Sequence, residues 1–222
     1  MTIAAAISFN SGILFFTDAE EAVTGIQPPV TRILRHQHGS PPACASSMFL
    51  ASQLAGASAD VLRRCMSALN ASPPGDCTID SMRRTVESSI AEIGDGEPLA
   101  MIVALYSPRD EQYALFHTAG TSLRDVISYD CQGPAAYLGH FLIRSRYEAA
   151  RSLDDLDLST VFSIAVDTLD GIRAVNDGCG ASSEMAVMYA DGHVTEVQRI
   201  SPDAAMQREV ALAALGGGLA RT

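Results

Sequence analysis

The sequence predicts an α+β fold in which two stacked sheets are covered on their outer sides by helices. Three observations predict it. Apolar, strand-like runs occur at both ends and in the middle of the chain, and pairs of stretches with helical spacing lie between them. At each end, two apolar runs are joined by a tight turn of hairpin type. The composition supplies the interior such a fold needs: 47% of the 222 residues are hydrophobic, enough for one domain without disulfides or metals. No internal repeat, low-complexity segment or linker divides the chain. A single domain over 1–222 is expected, with 216–222 flexible.

In order, Thr2 to Phe9 and Gly12 to Thr17 are short apolar runs meeting at Asn10-Ser11-Gly12, the opening hairpin. Gly25 and Pro28-Pro29 mark a loop, Val30 to Leu34 reads as a further short strand, and His36 to Pro42 as a polar connector. Ala43 to Leu69 is alanine-rich, with Met48, Leu50, Leu54, Val61, Leu62 and Met66 suggesting one helix kinked near Gly56. Pro73-Pro74-Gly75 breaks the chain before a second helix, Ile79 to Ile93, which Gly94-Asp95-Gly96 stops. Leu99 to Tyr106 is a continuous apolar run, as in a strand buried on both faces. Gln112 to His117 reads as its hairpin partner, with a shorter strand near Val126 to Ser128. Helical spacing returns from Gly133 to Tyr147 and from Leu158 to Val175. Glu184 to Tyr189 and His193 to Gln198 form the closing hairpin around Ala190-Asp191-Gly192, and the tail makes a short helix that frays at Gly216-Gly217-Gly218.

Charge and cysteine usage narrow the function. Lys and Arg total 15 against 26 Asp and Glu, a formal net charge of −11, which repels nucleic-acid phosphates and anionic membrane surfaces alike. No apolar run approaches the roughly 18–20 residues of a membrane span. The five cysteines are irregularly spaced, odd in number and without a C-x-x-C pair, and no signal peptide precedes them. They read as reduced thiols in a cytoplasmic protein. No G-x-S-x-G, Walker A, H-E-x-x-H or G-x-G-x-x-G motif occurs. His36 and His38 lack a nearby third ligand, so neither a metal nor an organic cofactor is expected.

The chemistry-bearing candidate lies at the start. Thr2 follows Met1 directly; removal of Met1 would leave a hydroxyl and a free α-amine on adjacent carbons, a nucleophile and its base in one residue. An α-amine has a pKa of about 7.7–8, so on the order of a tenth of it is neutral at pH 7. Asp18 stands sixteen residues further on, at the end of Gly12-Ile13-Leu14-Phe15-Phe16-Thr17-Asp18. Arg32-Ile33-Leu34, Asp130-Cys131-Gln132-Gly133 and Asn176-Asp177-Gly178-Cys179-Gly180-Ala181 complete the set.

The spacing of these segments resembles the proteasome β-subunit family of N-terminal nucleophile (Ntn) hydrolases, over most of the chain and most weakly between Gln37 and Glu97. In that family a lysine stands where this chain has Arg32, serines where it has Cys131 and Cys179, and an aspartate where it has Asn176, with Asp177 next door. The resemblance implies a four-layer αββα sandwich and hydrolysis of peptide amide bonds by Thr2. It implies that Asp18 and Arg32 orient the nucleophile and that the turn of Asn176, Asp177 and Cys179 supports the terminus; Cys131 and Cys179 are nucleophiles in principle, buried small hydrophobes being the commoner fate of such thiols. Backbone amides near Ser46 and Ser47, at the predicted helix start, would form the oxyanion site. It further implies a peptide or unfolded-protein substrate and self-association into a ring or stacked assembly, and leaves open an ATP-driven unfoldase partner. Two alternatives stand beside it: a non-catalytic subunit with an assembly or binding role, and an amidase acting on a small acyl compound.

Overall fold

The computed structural model describes residues 3–19, 33–38, 47–53, 56–71, 77–93, 99–152, 156–176, 182–200 and 205–216. Within them, the first turn joins β1 (Ala4–Phe9) to β2 (Gly12–Ala19) in an antiparallel register running from Ala4 opposite Thr17 to Phe9 opposite Gly12. Next come β3 (Ile33–His38), β4 (Ser47–Gln53), α1 (Gly56–Ala71) and α2 (Ile79–Ile93). The middle holds β5 (Met101–Ser107), β6 (Gln112–Ala119), β7 (Ser122–Val126) and β8 (Tyr129–Gln132). Then follow α3 (Ala136–Ser152), α4 (Leu158–Arg173), β9 (Ser182–Tyr189), β10 (Val194–Ile200) and α5 (Ala205–Gly216).

The strands form two antiparallel sheets, ordered β10-β9-β2-β1-β8 and β3-β4-β5-β6-β7. Alternation of side chains along each strand sorts the interior into three cores. Ile3, Ala5, Ile7, Leu14, Phe16, Met185 and Val187 face α3, α4 and α5. Their neighbours Ala6, Ile13, Phe15, Ala186 and Met188 face the second sheet and meet Ile102, Ala104 and Leu115. On the far side of that sheet, Met101, Val103, Leu105 and Phe116 pack on Val61, Cys65, Met82, Val86 and Ile90 of α1 and α2. The result is the expected four-layer αββα sandwich. Each large side chain removed from water contributes on the order of 1.5–3 kcal/mol, and β1, β2, β5 and β9 supply most of them because both their faces are covered.

Several boundaries differ from the sequence reading. The segment read as one long helix from Ala43 holds β4 over Ser47–Gln53 before α1 begins at Gly56. The spacing from Met48 to Leu50 is a step of two, the strand period, and Gly56 opens a helix instead of kinking one. β3 runs on through Arg35, His36 and Gln37 to His38, polar residues that hide a strand from an apolar-run search. β7 lies at 122–126, ahead of the predicted position, β8 at 129–132 is a further strand, and the helix expected from Gly133 begins at Ala136. No described helix is long and apolar enough to cross a membrane.

Candidate active site

The β1–β2 register places Ile3 and Asp18 side by side, one step beyond the Ala4–Thr17 pair. Asp18 Oδ1 accepts a hydrogen bond from the Ile3 N–H at 2.7 Å, and Thr17 Oγ1 donates to the Ile3 carbonyl at 2.6 Å. Two consecutive side chains of β2 therefore hold both ends of Ile3, the residue just ahead of β1. Ile3 is 0% exposed and Asp18 1%, so neither bond competes with water. A hydrogen bond to a charged group is worth about 1.5–3 kcal/mol net. The geometry matters because Thr2 directly precedes Ile3 in the chain.

On the other flank of β2, Asp18 stands opposite Ser183 of β9, and Thr17 opposite Glu184. Ser182, Ser183 and Glu184 are all buried. Arg173, in the last turn of α4, donates through Nη2 to Ser183 Oγ at 2.7 Å and to the Ser182 carbonyl at 3.0 Å. Asp170 engages the guanidinium of Arg173 at 3.3 Å and that of Arg208 of α5 at 2.8 Å. The Arg173 side chain is 15% exposed, so this cation is brought to the strand end largely stripped of water. Asn176 follows the helix, its N–H on the Arg173 carbonyl at 3.4 Å.

Cys131 reaches Ile3 from the opposite side. It lies in β8 opposite Ala5, faces the helices, and is 1% exposed. A Cβ built on Gly139 of α3 would fall 2.4 Å from its Sγ and 3.0 Å from Ile3 Cδ1, so thiol, helix and Ile3 meet at one point. Burial pushes the thiol far above its ordinary range, and the neighbouring Asp130 carboxylate adds to the shift. A thiol held protonated in this way is a packing group and not a nucleophile at neutral pH.

Of the residues singled out from sequence, the structure thus gathers Asp18 and Cys131 around Ile3 and sets Asn176 behind Arg173. Ser47 opens a strand, opposite His38, and not a helix, so its amide belongs to a sheet ladder and the helix-start oxyanion site is corrected. Thr2, Arg32, Ser46, Asp177 and Cys179 lie outside the described residues. Thr17, Arg173, Ser183 and Glu184 escaped sequence reading. The available signal was weak: Arg173 three residues after Asp170 in a helical stretch, and Ser-Ser-Glu opening an apolar strand. Among the described residues, no group of three His, Cys, Asp or Glu side chains is arranged to hold a metal ion. A surface groove of about 340 Å³ lined by Arg146, Ser159, Thr160 and Asp167 opens on the outer helical layer. It lies towards the start of α4, where Leu156 accepts from Asn10 at the far end of β1 from Ile3.

No protein-family model matches the chain, and no curated protein matches it. Solved structures match it along its length. A Gly-1 mutant of Anbu from Hyphomicrobium sp. strain MC1 superposes with a TM-score of 0.73 at 16% identity, covering 100% of this chain and 98% of that one. Anbu from Yersinia bercovieri, described as an ancestral beta-subunit, gives 0.69 at 15% identity, with 99% and 97% covered. The Anbu complex from Pseudomonas aeruginosa, solved as a helical assembly, gives 0.65 at 15% identity, with 99% and 96% covered. The chain shares the α+β, Ntn-type fold of these proteins.

Proposed function

We infer that the chain is a proteasome-like Ntn hydrolase that cuts peptide amide bonds through Thr2, exposed by removal of Met1. The observation that carries this inference is the grip of Asp18 and Thr17 on Ile3, which anchors the residue following Thr2 at a buried strand end. The fold shared with the Anbu proteins supports it. In this scheme Thr2 Oγ attacks the scissile carbonyl and its proton passes to the α-amine. The amine leaving group departs with that proton, and water then hydrolyses the ester to regenerate Thr2. Arg32 stays charged through the cycle, so it orients and polarises but relays no proton. Asn176, Asp177 and Cys179 are assigned by the resemblance to support the terminus, while Cys131 acts by packing against Ile3. Self-association is part of the proposal, supported by the helical assembly of the Pseudomonas aeruginosa Anbu complex. A cytoplasmic setting suits the buried thiols of Cys65 and Cys131.

A second reading, a non-catalytic subunit of the same fold, draws on Cys131. Where the resemblance sets a serine hydroxyl, this chain has a thiol sealed in the apolar core. Intact mass and an electrophile directed at N-terminal threonines separate the two. The active enzyme lacks Met1 and gains one adduct, which Thr2→Ala abolishes. Retained Met1 refutes the Thr2 mechanism, and an unlabelled chain lacking Met1 supports the inert subunit.

A further inference from the structure

The stretch that closes β8 has two faces. Cys131 turns towards the helices, whereas Asp130 and Gln132 turn into the gap between the sheets, opposite Ala6 and Ala4 of β1. Asp130 is 4% exposed, and both of its carboxylate oxygens are engaged. His117 Nδ1, from β6 of the other sheet, stands 2.9 Å from Oδ2, and Gln132 Nε2 donates to the same oxygen at 2.7 Å. His140 Nε2, from α3, stands 3.2 Å from Oδ1. One buried carboxylate therefore joins sheet to sheet and sheet to helix, at the edge where residues 127–128 carry the chain from β7 in one sheet to β8 in the other. The hydrolysis proposed above uses none of these groups.

We propose that the Asp130–His117–His140 cluster is a proton-operated clasp, holding the two sheets and α3 together most firmly in mildly acidic solution and loosening as the solution turns alkaline.

The groups that face the cluster come from α3, β6 and β7. Arg124 of β7 stands opposite His117 in the register. Around His140 the Tyr129 ring lies 6.0 Å away, and Tyr129 itself feels Arg144, Glu148 and Tyr147 of α3. Tyr113 of β6 lies within the influence of Tyr147. Ala4 and Ala6 of β1, and Ile102 and Ala104 of β5, bring no charge to the gap.

The direction of the pH effect follows from the protonation equilibria. The hydrogen bond that His140 donates to the Asp130 carboxylate holds the imidazole above its ordinary range, outweighing partial burial, with the carboxylate charge adding to it. A base whose folded pKa is raised contributes stability that is complete below its unfolded value of about 6.5 and is lost as pH rises through the folded value. For Asp130, burial alone would raise the pKa. The bonds from His140 and Gln132 and the influence of His117 outweigh it and hold the carboxyl below its ordinary range. Its contribution is complete above about pH 4 and is lost as pH falls through the folded value. The clasp is tightest between those limits.

The test uses the full chain. Ring titrations of the five histidines are followed by NMR in the wild type, in Asp130→Asn and in His140→Gln, the last assigning the His140 signal by its loss. Expected is a His140 midpoint above about 6.5 in the wild type, falling to or below that value in Asp130→Asn. Melting temperatures add a second readout: His140→Gln should lower the wild-type value more near pH 5.5 than near pH 8. A wild-type midpoint at or below about 6.5, or an equal loss at both pH values, overturns the proposal. Should Asp130→Asn fail to fold, His140→Gln still decides, because its side chain is 42% exposed and an amide keeps a donor in place.

Discussion

Gly139→Ala is the most informative single perturbation, because two effects of known size oppose each other at that position. Alanine in place of glycine inside a helix stabilises by about 0.8–1.0 kcal/mol through backbone entropy. Against this, the new Cβ would fall 2.4 Å from Cys131 Sγ and 3.0 Å from Ile3 Cδ1. Non-bonded heavy atoms settle at about 3.5–4.0 Å, so the first contact is short by about 1 Å. Neither partner yields easily: Cys131 is fixed in the β1–β8 ladder, and Ile3 is held by Asp18 and Thr17. Overpacking of this kind costs about 1–3 kcal/mol, leaving a net loss of about 0–2 kcal/mol for the single substitution. Cys131→Ala alone opens a small cavity and costs about 1–2 kcal/mol. In the double variant the new methyl fills the space left by sulfur and the helical gain is retained. The two changes should therefore couple favourably by about 1–3 kcal/mol. Urea unfolding of the four proteins, followed by circular dichroism, measures the cycle. A stabilising Gly139→Ala with additive energies would mean that α3 does not rest on Cys131, and the packing argument for that thiol would fall with it. The same contact gives a functional readout, since pressure on Ile3 should slow electrophile labelling of Thr2 in Gly139→Ala, with recovery in the double variant.

Thr17→Val keeps the shape of the side chain but removes the hydroxyl that donates to the Ile3 carbonyl, and should cost about 1–3 kcal/mol in urea unfolding. Thr17→Ser, which keeps the hydroxyl, should preserve Thr2 labelling where Thr17→Val reduces it; equal labelling in both would remove Thr17 from the site. Gly192→Ala meets a left-handed backbone at φ 81° and would bring a Cβ to 2.2 Å from Tyr106 Cδ1. Strain of about 1–2 kcal/mol adds to overpacking of about 1–3 kcal/mol. A thermal melt showing a loss of under about 1 kcal/mol would contradict the turn geometry between β9 and β10.

What could be read in the sequence followed from periodicity. Met82, Val86 and Ile90 recur on one face and Gly94 ends the run, so α2 was legible to its last residue. β5 was legible because seven successive residues are buried and a strand covered on both faces has no polar side. β4 was not, since its apolar residues run straight into those of α1 and alanines suit either period. β8 is four residues long and half polar, and becomes a strand only because β1 lies beside it. The same limit governs the site. The spacing from Thr2 to Asp18 is written in the chain, but the roles of Thr17, Ser183 and Glu184 depend on which neighbours a strand acquires, and single-sequence patterns carry no such information. A cysteine in a serine's place reads alike whether it is exposed or sealed; here Gly139 and Ile3 decide, and both lie on other elements.

The start of β1 shows why charge is retained at a position where an apolar residue would stabilise as well. Strand ends ordinarily fray, and a plain ladder bond with an aliphatic residue at 18 would pin Ile3 at no desolvation cost. A buried carboxylate is costly unless something gains from its charge. In the proposed hydrolase that charge would have two opposed effects on a freed Thr2 amine: it would favour the ammonium, which suppresses the base, and offer the terminus a strong acceptor. A hydrolase of the proposed kind must therefore offset Asp18 with positive charge nearby. Arg32, which the resemblance sets beside Asp18 to orient the nucleophile, lies outside the described residues. The structure adds Arg173, whose guanidinium bonds Ser183, the residue standing directly opposite Asp18, and is itself steadied by Asp170. A guanidinium cannot lose its proton at neutral pH, so the positive charge that Arg173 brings to this strand end is constant.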